Sequence, residues 1–144
     1  MQEYIAFFEE NTLLSLVWVG LFIALIMTII KSSTAAYKEI SVAQTTHLMN
    51  REEGLVVDIR TNDEYRKGHI TDAVHILPSD IKSGNLAGLE KRKSDPIIVV
   101  CNSGHNAQES ANLLAKAGFE NVNLLKNGLV AWREANLPLV KGKK

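Results

Sequence analysis

The chain has 144 residues, of which 46% are hydrophobic and 22% are charged, with equal numbers of acidic and basic side chains. This length fits one domain of ordinary size with one appendage, and this composition excludes a disordered chain and a disulfide scaffold. No strong basic cluster is present, which argues against a nucleic-acid partner. The single cysteine cannot form an internal disulfide and suits a reducing compartment.

The first predicted element is a transmembrane helix at residues 13–30, a stretch with neither a charge nor a proline. At about 1.5 Å of rise per residue these residues span roughly 27 Å, which matches a hydrocarbon core of about 30 Å. The lipid bilayer is therefore the expected partner of this segment. Residues 1–12 form a short N-terminal flank in this interpretation, and residues 31–37 form a linker.

Two other interpretations of the apolar segment remain open. A cleaved signal peptide normally starts with basic residues and has a shorter apolar run, whereas this chain starts with Glu3, Glu9 and Glu10. A helix that is apolar on every side can also lie in the core of a large protein, but the remainder of this chain is small. Because Lys31 and Lys38 follow the span, the positive-inside rule predicts an outside N-terminus and a cytoplasmic C-terminal domain.

After the linker, short apolar runs alternate with helical patterns over residues 38–140. Alternating strands and helices predict an α/β domain with parallel strands and right-handed crossovers. The predicted strands are 39–40, 55–59, 74–77, 96–100 and 121–125. The predicted helices start at Ser41, Thr61, Ser79, Asn106 and Asn127, with capping boxes expected at Ser41 and Thr61 and a cap at Asn106. Residues 141–144 form a basic, solvated tail in this scheme.

Cys101 directly follows the most continuous apolar strand, and a loop separates it from the next helix. In parallel sheets, sites form at the carboxyl ends of strands, where loops meet helix N-termini. Successive N–H groups of such a loop can enclose an anion, and Gly104 permits the φ > 0 turn that this requires. The same enclosure stabilises a thiolate, which is the nucleophilic form of cysteine. A buried, unreactive thiol is the alternative, and these residues alone leave both possibilities open.

Several linked motifs resemble those of the rhodanese, or sulfurtransferase, domain family over about residues 38–140. They are Val57-Asp-Ile-Arg60, Glu64-Tyr65, Gly68-His-Ile70, Ala73-Val-His-Ile76, Val99-Val-Cys-Asn-Ser-Gly104, Leu125-Lys-Asn-Gly-Leu-Val-Ala-Trp132 and Leu137-Pro138. The layout of one apolar segment followed by one domain is similar to that of membrane-anchored single-domain members of bacteria. The resemblance thus implies a single-pass protein of the bacterial inner membrane.

The resemblance implies a rhodanese-like five-stranded parallel sheet with helices on both faces. It also implies that Cys101 accepts sulfane sulfur from a small donor and passes it to a thiol or protein acceptor, by covalent catalysis in two displacements. A membrane protein is a further candidate partner. The implied substrate-binding loop consists of Asn102, Ser103, Gly104, His105, Asn106 and Ala107.

One departure from the family pattern supports a second hypothesis. Many active members carry arginine at the positions of Asn102, Asn106 or both, and neither residue is charged here. His105 supplies part of that charge when it is protonated, although an exposed loop histidine without such a role is the more common case. The uncharged loop favours a non-catalytic docking module that binds a protein partner at the inner membrane. Cys101 favours the sulfurtransferase.

The remaining conspicuous residues are expected to have structural roles. Asp58 and Arg60 stand at a strand end, where an ion pair braces the loops, and His69 is expected to bond a buried backbone group. Neither a metal nor another cofactor is expected, because one cysteine with scattered histidines offers no ligand spacing. A cysteine phosphatase requires an arginine six residues after the cysteine to hold phosphate. Ala107 occupies that position, which excludes this class.

Overall fold

The computed structural model describes residues 1–33 and 36–142. Parts of the predicted linker 31–37 and of the predicted tail 141–144 therefore lie outside the described residues. The chain divides into two compact units, with the boundary between residues 35 and 36.

The first unit consists of two helices, α1 (Gln2–Glu10) and α2 (Thr12–Ser33). Helix α1 lies where the sequence predicts only a short flank. Within α2, the stretch Thr12–Ile30 has a mean hydropathy of 2.7, and none of it is buried within the protein. This helix is thus long and apolar enough to cross a membrane, and it is not a core helix of the described chain. The hydroxyl of Thr28 donates a hydrogen bond to the carbonyl of Ala24 (2.8 Å), so the helix itself satisfies this polar group.

The second unit is an α/β domain in which every strand pairing is parallel, with the sheet order β1-β5-β4-β2-β3. The predicted fold class is confirmed. The elements in chain order are β1 (Lys38–Ile40), α3 (Val42–Arg51), β2 (Leu55–Asp58), α4 (Asn62–Lys67), β3 (Val74–His75), α5 (Pro78–Ser83), a 3-10 helix (Leu89–Arg92), β4 (Ile97–Val100), α6 (Ala107–Lys116), β5 (Val122–Leu125) and α7 (Gly128–Glu134).

The two faces of the sheet each bury a hydrophobic cluster. On one face Val99 and Leu124 pack with residues of α5 and α6, and on the other Ile98 and Leu125 pack with residues of α3, α4 and α7. All four residues of β4 are buried, as expected for a central strand covered on both sides. The buried centre of the sheet therefore fixes the position of the loop that follows β4.

Both predicted capping boxes are present. The side chain of Ser41 accepts the Gln44 N–H, and the side chain of Thr61 accepts the Glu64 N–H, with the reciprocal bonds also formed. The second box starts α4 immediately after β2. It therefore fixes a helix N-terminus at the carboxyl edge of the sheet.

Two other predicted side-chain caps are absent, although α6 does begin directly after Asn106 as predicted. Helix α5 begins at Pro78 with Leu77 as its N-cap, rather than being capped by Ser79, because the fixed φ of proline suits the first helical position. Asn106 precedes α6 in a helical conformation (φ −72°, ψ −17°) and its side chain makes no capping bond. Glu109, its expected partner, instead lies 3.0 Å from Lys82 of α5.

Candidate active site

Cys101 lies at the carboxyl edge of the sheet, directly after β4. The Ile59 N–H donates to the carbonyl of Val100 (3.1 Å), which continues the β2–β4 pairing up to the cysteine. The side chain of Cys101 is buried, with a relative exposure of 4%. The thiol is thus placed by the two central strands rather than by a free loop.

The Cys101 sulfur receives a hydrogen bond from the loop that follows it. The Gly104 N–H donates to Sγ at 2.8 Å, and Gly104 adopts φ +91°. This is the left-handed turn predicted from the sequence, and it points a backbone donor at the sulfur. The sulfur thus has a backbone hydrogen-bond partner within its own loop.

Helix α7 is hydrogen-bonded to the start of the cysteine loop. The N–H groups of Leu129 and Val130 donate to the carbonyls of Cys101 (2.9 Å) and Asn102 (3.2 Å). A Cβ atom on Gly128 (φ +53°) would overlap the Cys101 carbonyl oxygen, so only glycine fits between helix and loop. The two carbonyls are therefore held in place by backbone donors of α7.

A cavity of about 510 Å³ opens over Cys101. The predicted site residues that line it are Arg60, Cys101, Asn102, Ser103, His105 and Asn106. Ala107 instead lies in the hydrophobic core as the first residue of α6. His105 is exposed. Glu64, Leu77, Pro78 and Glu109 also line the cavity, although they are not among the candidate site residues predicted from the sequence.

Arg60 and Asp58 form the predicted ion pair, and both are buried. The Arg60 Nη2 lies 2.6 Å from Asp58 Oδ2 and donates to the Gly68 carbonyl at 2.7 Å, while Nε donates to Asp58 Oδ1 at 2.9 Å. The guanidinium charge is thus already matched inside the protein. Asp58 therefore offsets most of the charge that Arg60 brings to the cavity wall.

Glu64 connects α4 to the cysteine loop. Its Oε1 accepts a hydrogen bond from the Asn102 side-chain amide at 2.6 Å, and its Oε2 accepts from the Thr61 N–H (3.0 Å) and hydroxyl (2.9 Å). The Thr61 N–H and hydroxyl, and then Asn102 and Arg60, hold the pKa of the Glu64 carboxyl below its ordinary value. An anionic carboxylate therefore lines the cavity at neutral pH. The signal for it in the sequence is the capping box, which places Glu64 at the same sheet edge as Cys101.

Three aromatic rings brace the edge of the sheet behind Arg60. His69 Nδ1 lies 2.8 Å from the Tyr65 carbonyl oxygen, so the histidine bonds a buried backbone group as expected. The Tyr65 ring stacks on His69 (3.8 Å between centroids) and on His75 (4.7 Å). His75 Nε2 in turn lies 2.6 Å from the Arg60 carbonyl oxygen. These contacts position the loop after β2.

Within the described chain, no group of three or more His, Cys, Asp or Glu is arranged to hold a metal ion.

Comparisons with known proteins agree with this architecture. The profile of the rhodanese-like domain matches residues 41–135. The chain is 46% identical to the uncharacterized protein YibN of Escherichia coli, covering 99% of this chain and 100% of the relative. It is 36% identical to the thiosulfate sulfurtransferase GlpE of Pseudoalteromonas translucida, covering 69% of this chain and 92% of that protein. The solution structure of a rhodanese-like domain from an Anabaena protein aligns with a TM-score of 0.63 at 28% identity, covering 72% of this chain and 79% of that one. The chain belongs to the rhodanese-like domain family.

Proposed function

We propose that this protein is a membrane-anchored sulfurtransferase or persulfide carrier in which Cys101 accepts sulfane sulfur and passes it on. The observation that carries the proposal is the Gly104 N–H directed at Sγ (2.8 Å) inside a cavity that reaches solvent. A backbone N–H is a suitable partner for the sulfur atoms of a persulfide, and the cavity gives a sulfur compound room to approach. The GlpE relative, named a thiosulfate sulfurtransferase, supports this reaction class.

The reaction takes two displacements. The Cys101 thiolate attacks the outer sulfur of the donor, the donor's S–S bond breaks with its electron pair, and the donor leaves as a thiolate or as sulfite. Cys101 then carries a persulfide. An acceptor thiolate attacks the terminal sulfur, which moves to the acceptor and releases the Cys101 thiolate.

A docking module without catalysis is the second candidate. The feature that favours it is the absence of a cationic side chain at Asn102 and Asn106, both exposed at the cavity. In this case a protein partner at the membrane would occupy the same edge of the sheet.

The proposal places helix α2 across a bacterial inner membrane, with the N-terminus outside and the α/β domain in the cytoplasm. The apolar stretch Thr12–Ile30 supports a membrane span. The acidic residues before the stretch and the lysines after it support the orientation. An unpaired thiol suits the reducing cytoplasm.

Sulfur loading tests the proposal on the full chain in detergent micelles. The protein is incubated with thiosulfate or with the persulfide of a small thiol, desalted, and measured as an intact mass. We expect a gain of one sulfur atom that is absent from Cys101→Ser. Because two oxygen atoms have nearly the same mass as one sulfur, the adduct must also be released by dithiothreitol, which a sulfinic acid resists.

The two candidates give opposite results in this experiment. A reversible adduct that a second thiol then removes establishes both displacements. A wild-type protein that takes up sulfur from neither donor, while its unfolding curve matches that of Cys101→Ser, contradicts the sulfurtransferase and leaves the docking module.

A further inference from the structure

We infer, on the basis of the proposed sulfur transfer, that the Glu64–Asn102 pair selects the sulfur donor by charge. The site discriminates against small dianionic donors and favours donors whose sulfane sulfur is carried by a thiol with little charge. Glu64 is thus a specificity-determining residue that does not itself react.

The charged side chains around the cavity are the first observation in favour of charge selection. Of the described residues that line it, Arg60 is the permanent cation, and Glu64 and Glu109 are carboxylates. Arg60 is neutralised by the buried Asp58 (2.6 Å), and Glu109 is partly offset by the exposed Lys82 (3.0 Å). The Glu64 carboxylate lies 2.6 Å from an uncharged amide instead. The cavity wall therefore keeps an excess of negative charge.

The hydrogen bond that Asn102 donates to Glu64 is the second observation in favour of charge selection. Asn102 directly follows Cys101, so its side-chain amide is a natural donor to the oxygens of a bound substrate. One N–H of that amide is committed to Glu64 Oε1 at 2.6 Å. The pair thus adds a negative charge and also occupies a donor that a sulfonate would need.

The position of Glu64 is fixed, which makes the effect of its charge persistent. Its other oxygen is held by the Thr61 N–H and hydroxyl, so the carboxylate is anchored at both ends. Those bonds also keep its pKa below the ordinary value. We expect the discrimination due to Glu64 to be constant between about pH 6 and pH 8, because the carboxylate stays ionised throughout.

The two classes of sulfur donor differ in the charge that they bring into the cavity. With thiosulfate, a dianion approaches the Cys101 thiolate, its S–S bond breaks, and sulfite leaves with the bonding electrons. With an alkyl persulfide, one charge or none approaches, and an alkyl thiolate leaves. The repulsion from Glu64 is therefore about twice as large for the first donor as for a singly charged persulfide, and a neutral persulfide is not repelled.

The test compares rates of Cys101 persulfide formation from thiosulfate and from 2-hydroxyethyl persulfide in the full chain. The variants are Glu64→Gln, which keeps an acceptor for Thr61, and Asn102→Arg, which places a cation beside the carboxylate. We expect each to raise the thiosulfate rate by about threefold to tenfold at low ionic strength, with a much smaller change for the persulfide. High salt should shrink the gain.

Two variants serve as matched controls. Glu120→Gln removes the same charge from an exposed residue before β5, at the opposite edge of the sheet, and should leave both rates unchanged. Asn102→Gln changes the size of the side chain without adding charge, and should not reproduce the gain of Asn102→Arg. Unfolding curves establish that all variants are folded.

The possible failures are distinguishable. If the wild type loads from neither donor, the proposed sulfur transfer fails, and the inference fails with it. If the wild type loads but Glu64→Gln leaves the ratio of the two rates unchanged, or shifts both rates alike, sulfur transfer stands and charge selection by Glu64 is wrong.

Discussion

Gly128 is the position where the candidate active-site loop has the least space. Its φ of +53° lies in the left-handed region, and a Cβ atom there would overlap the Cys101 carbonyl oxygen. That carbonyl is also the acceptor for the Leu129 N–H. A side chain at residue 128 would therefore push the helix away from the residue that carries the thiol.

We predict that Gly128→Ala destabilises the domain by about 2–4 kcal/mol, the sum of a left-handed backbone and an overpacked contact. Gly84→Ala is the matched control, because Gly84 also has a positive φ (+83°) but nothing lies within 4 Å of an added Cβ. That change should cost only about 1 kcal/mol. Urea unfolding followed by the fluorescence of buried Trp132, in a Trp18→Phe background, measures both. Equal losses would mean that the close approach to Cys101 is unimportant.

The residue-scale features that the sequence predicted are those made between near neighbours. The Asp58–Arg60 ion pair joins residues two apart, and His69 bonds the carbonyl four residues before it. The Glu64–Asn102 bond joins residues 38 apart. It forms because β2 and β4 are adjacent in the sheet. The capping box in the sequence places Glu64 at the carboxyl edge, but the pairing of β2 with β4, which brings Asn102 to it, is not a local feature of the sequence.

At the scale of elements, the helix starts give a direct comparison of capped and uncapped ends. Ser41 accepts the Gln44 N–H and completes a capping box, whereas the Asn106 side chain makes no capping bond to α6. We predict that Ser41→Ala lowers the free energy of unfolding by about 1 kcal/mol. Asn106→Ala should change it by less than about 0.5 kcal/mol, as for a surface substitution. The same urea titration checks both, and a larger loss for Asn106→Ala would contradict the geometry of α6.

Strands β2 and β4 were predictable because each is a short apolar run, whereas β1 (Lys38–Ile40) contains a single apolar residue. The errors concern helix ends, where several residues compete. Pro78 starts α5 before Ser79 can cap it, and Gly84 (φ +83°) ends it before Leu86. The pattern after Ser79 indicates a helix that carries Ile81, Leu86 and Leu89. Leu86 and Leu89 instead reach the core from the segment after α5 and from the 3-10 helix. Helix α1 was missed because residues 1–12 were interpreted only as a short flank of the apolar span.

At the scale of the whole molecule, the proposed anchor depends on α2 being apolar along its length. We predict that Leu21→Arg combined with Leu25→Arg releases the protein from membranes, because each mid-span arginine costs about 2.5–3.5 kcal/mol of insertion. The control replaces the same two leucines by alanine and should stay membrane-bound. The measurement is the fraction that resists extraction with alkaline carbonate. Retention of the arginine variant would contradict a transmembrane α2.

The orientation has its own test. Protease added to inverted inner-membrane vesicles should digest the α/β domain, and protease added outside intact spheroplasts should not. Digestion of the α/β domain by protease outside spheroplasts would show that the topology is the reverse of the proposed one. It would also place Cys101 in an oxidising compartment, where a free thiol is hard to maintain.

The backbone donors of α7 have a consequence for the order in which the protein is made. The N–H groups of Leu129 and Val130 fix the carbonyls of Cys101 and Asn102, and these donors belong to α7, which follows the cysteine loop by more than twenty residues. A nascent chain whose apolar N-terminal helix has already left the ribosome still lacks the helix that shapes the cysteine loop. We therefore expect the thiol to become competent for sulfur only after α7 has been synthesised and has packed against the cysteine loop.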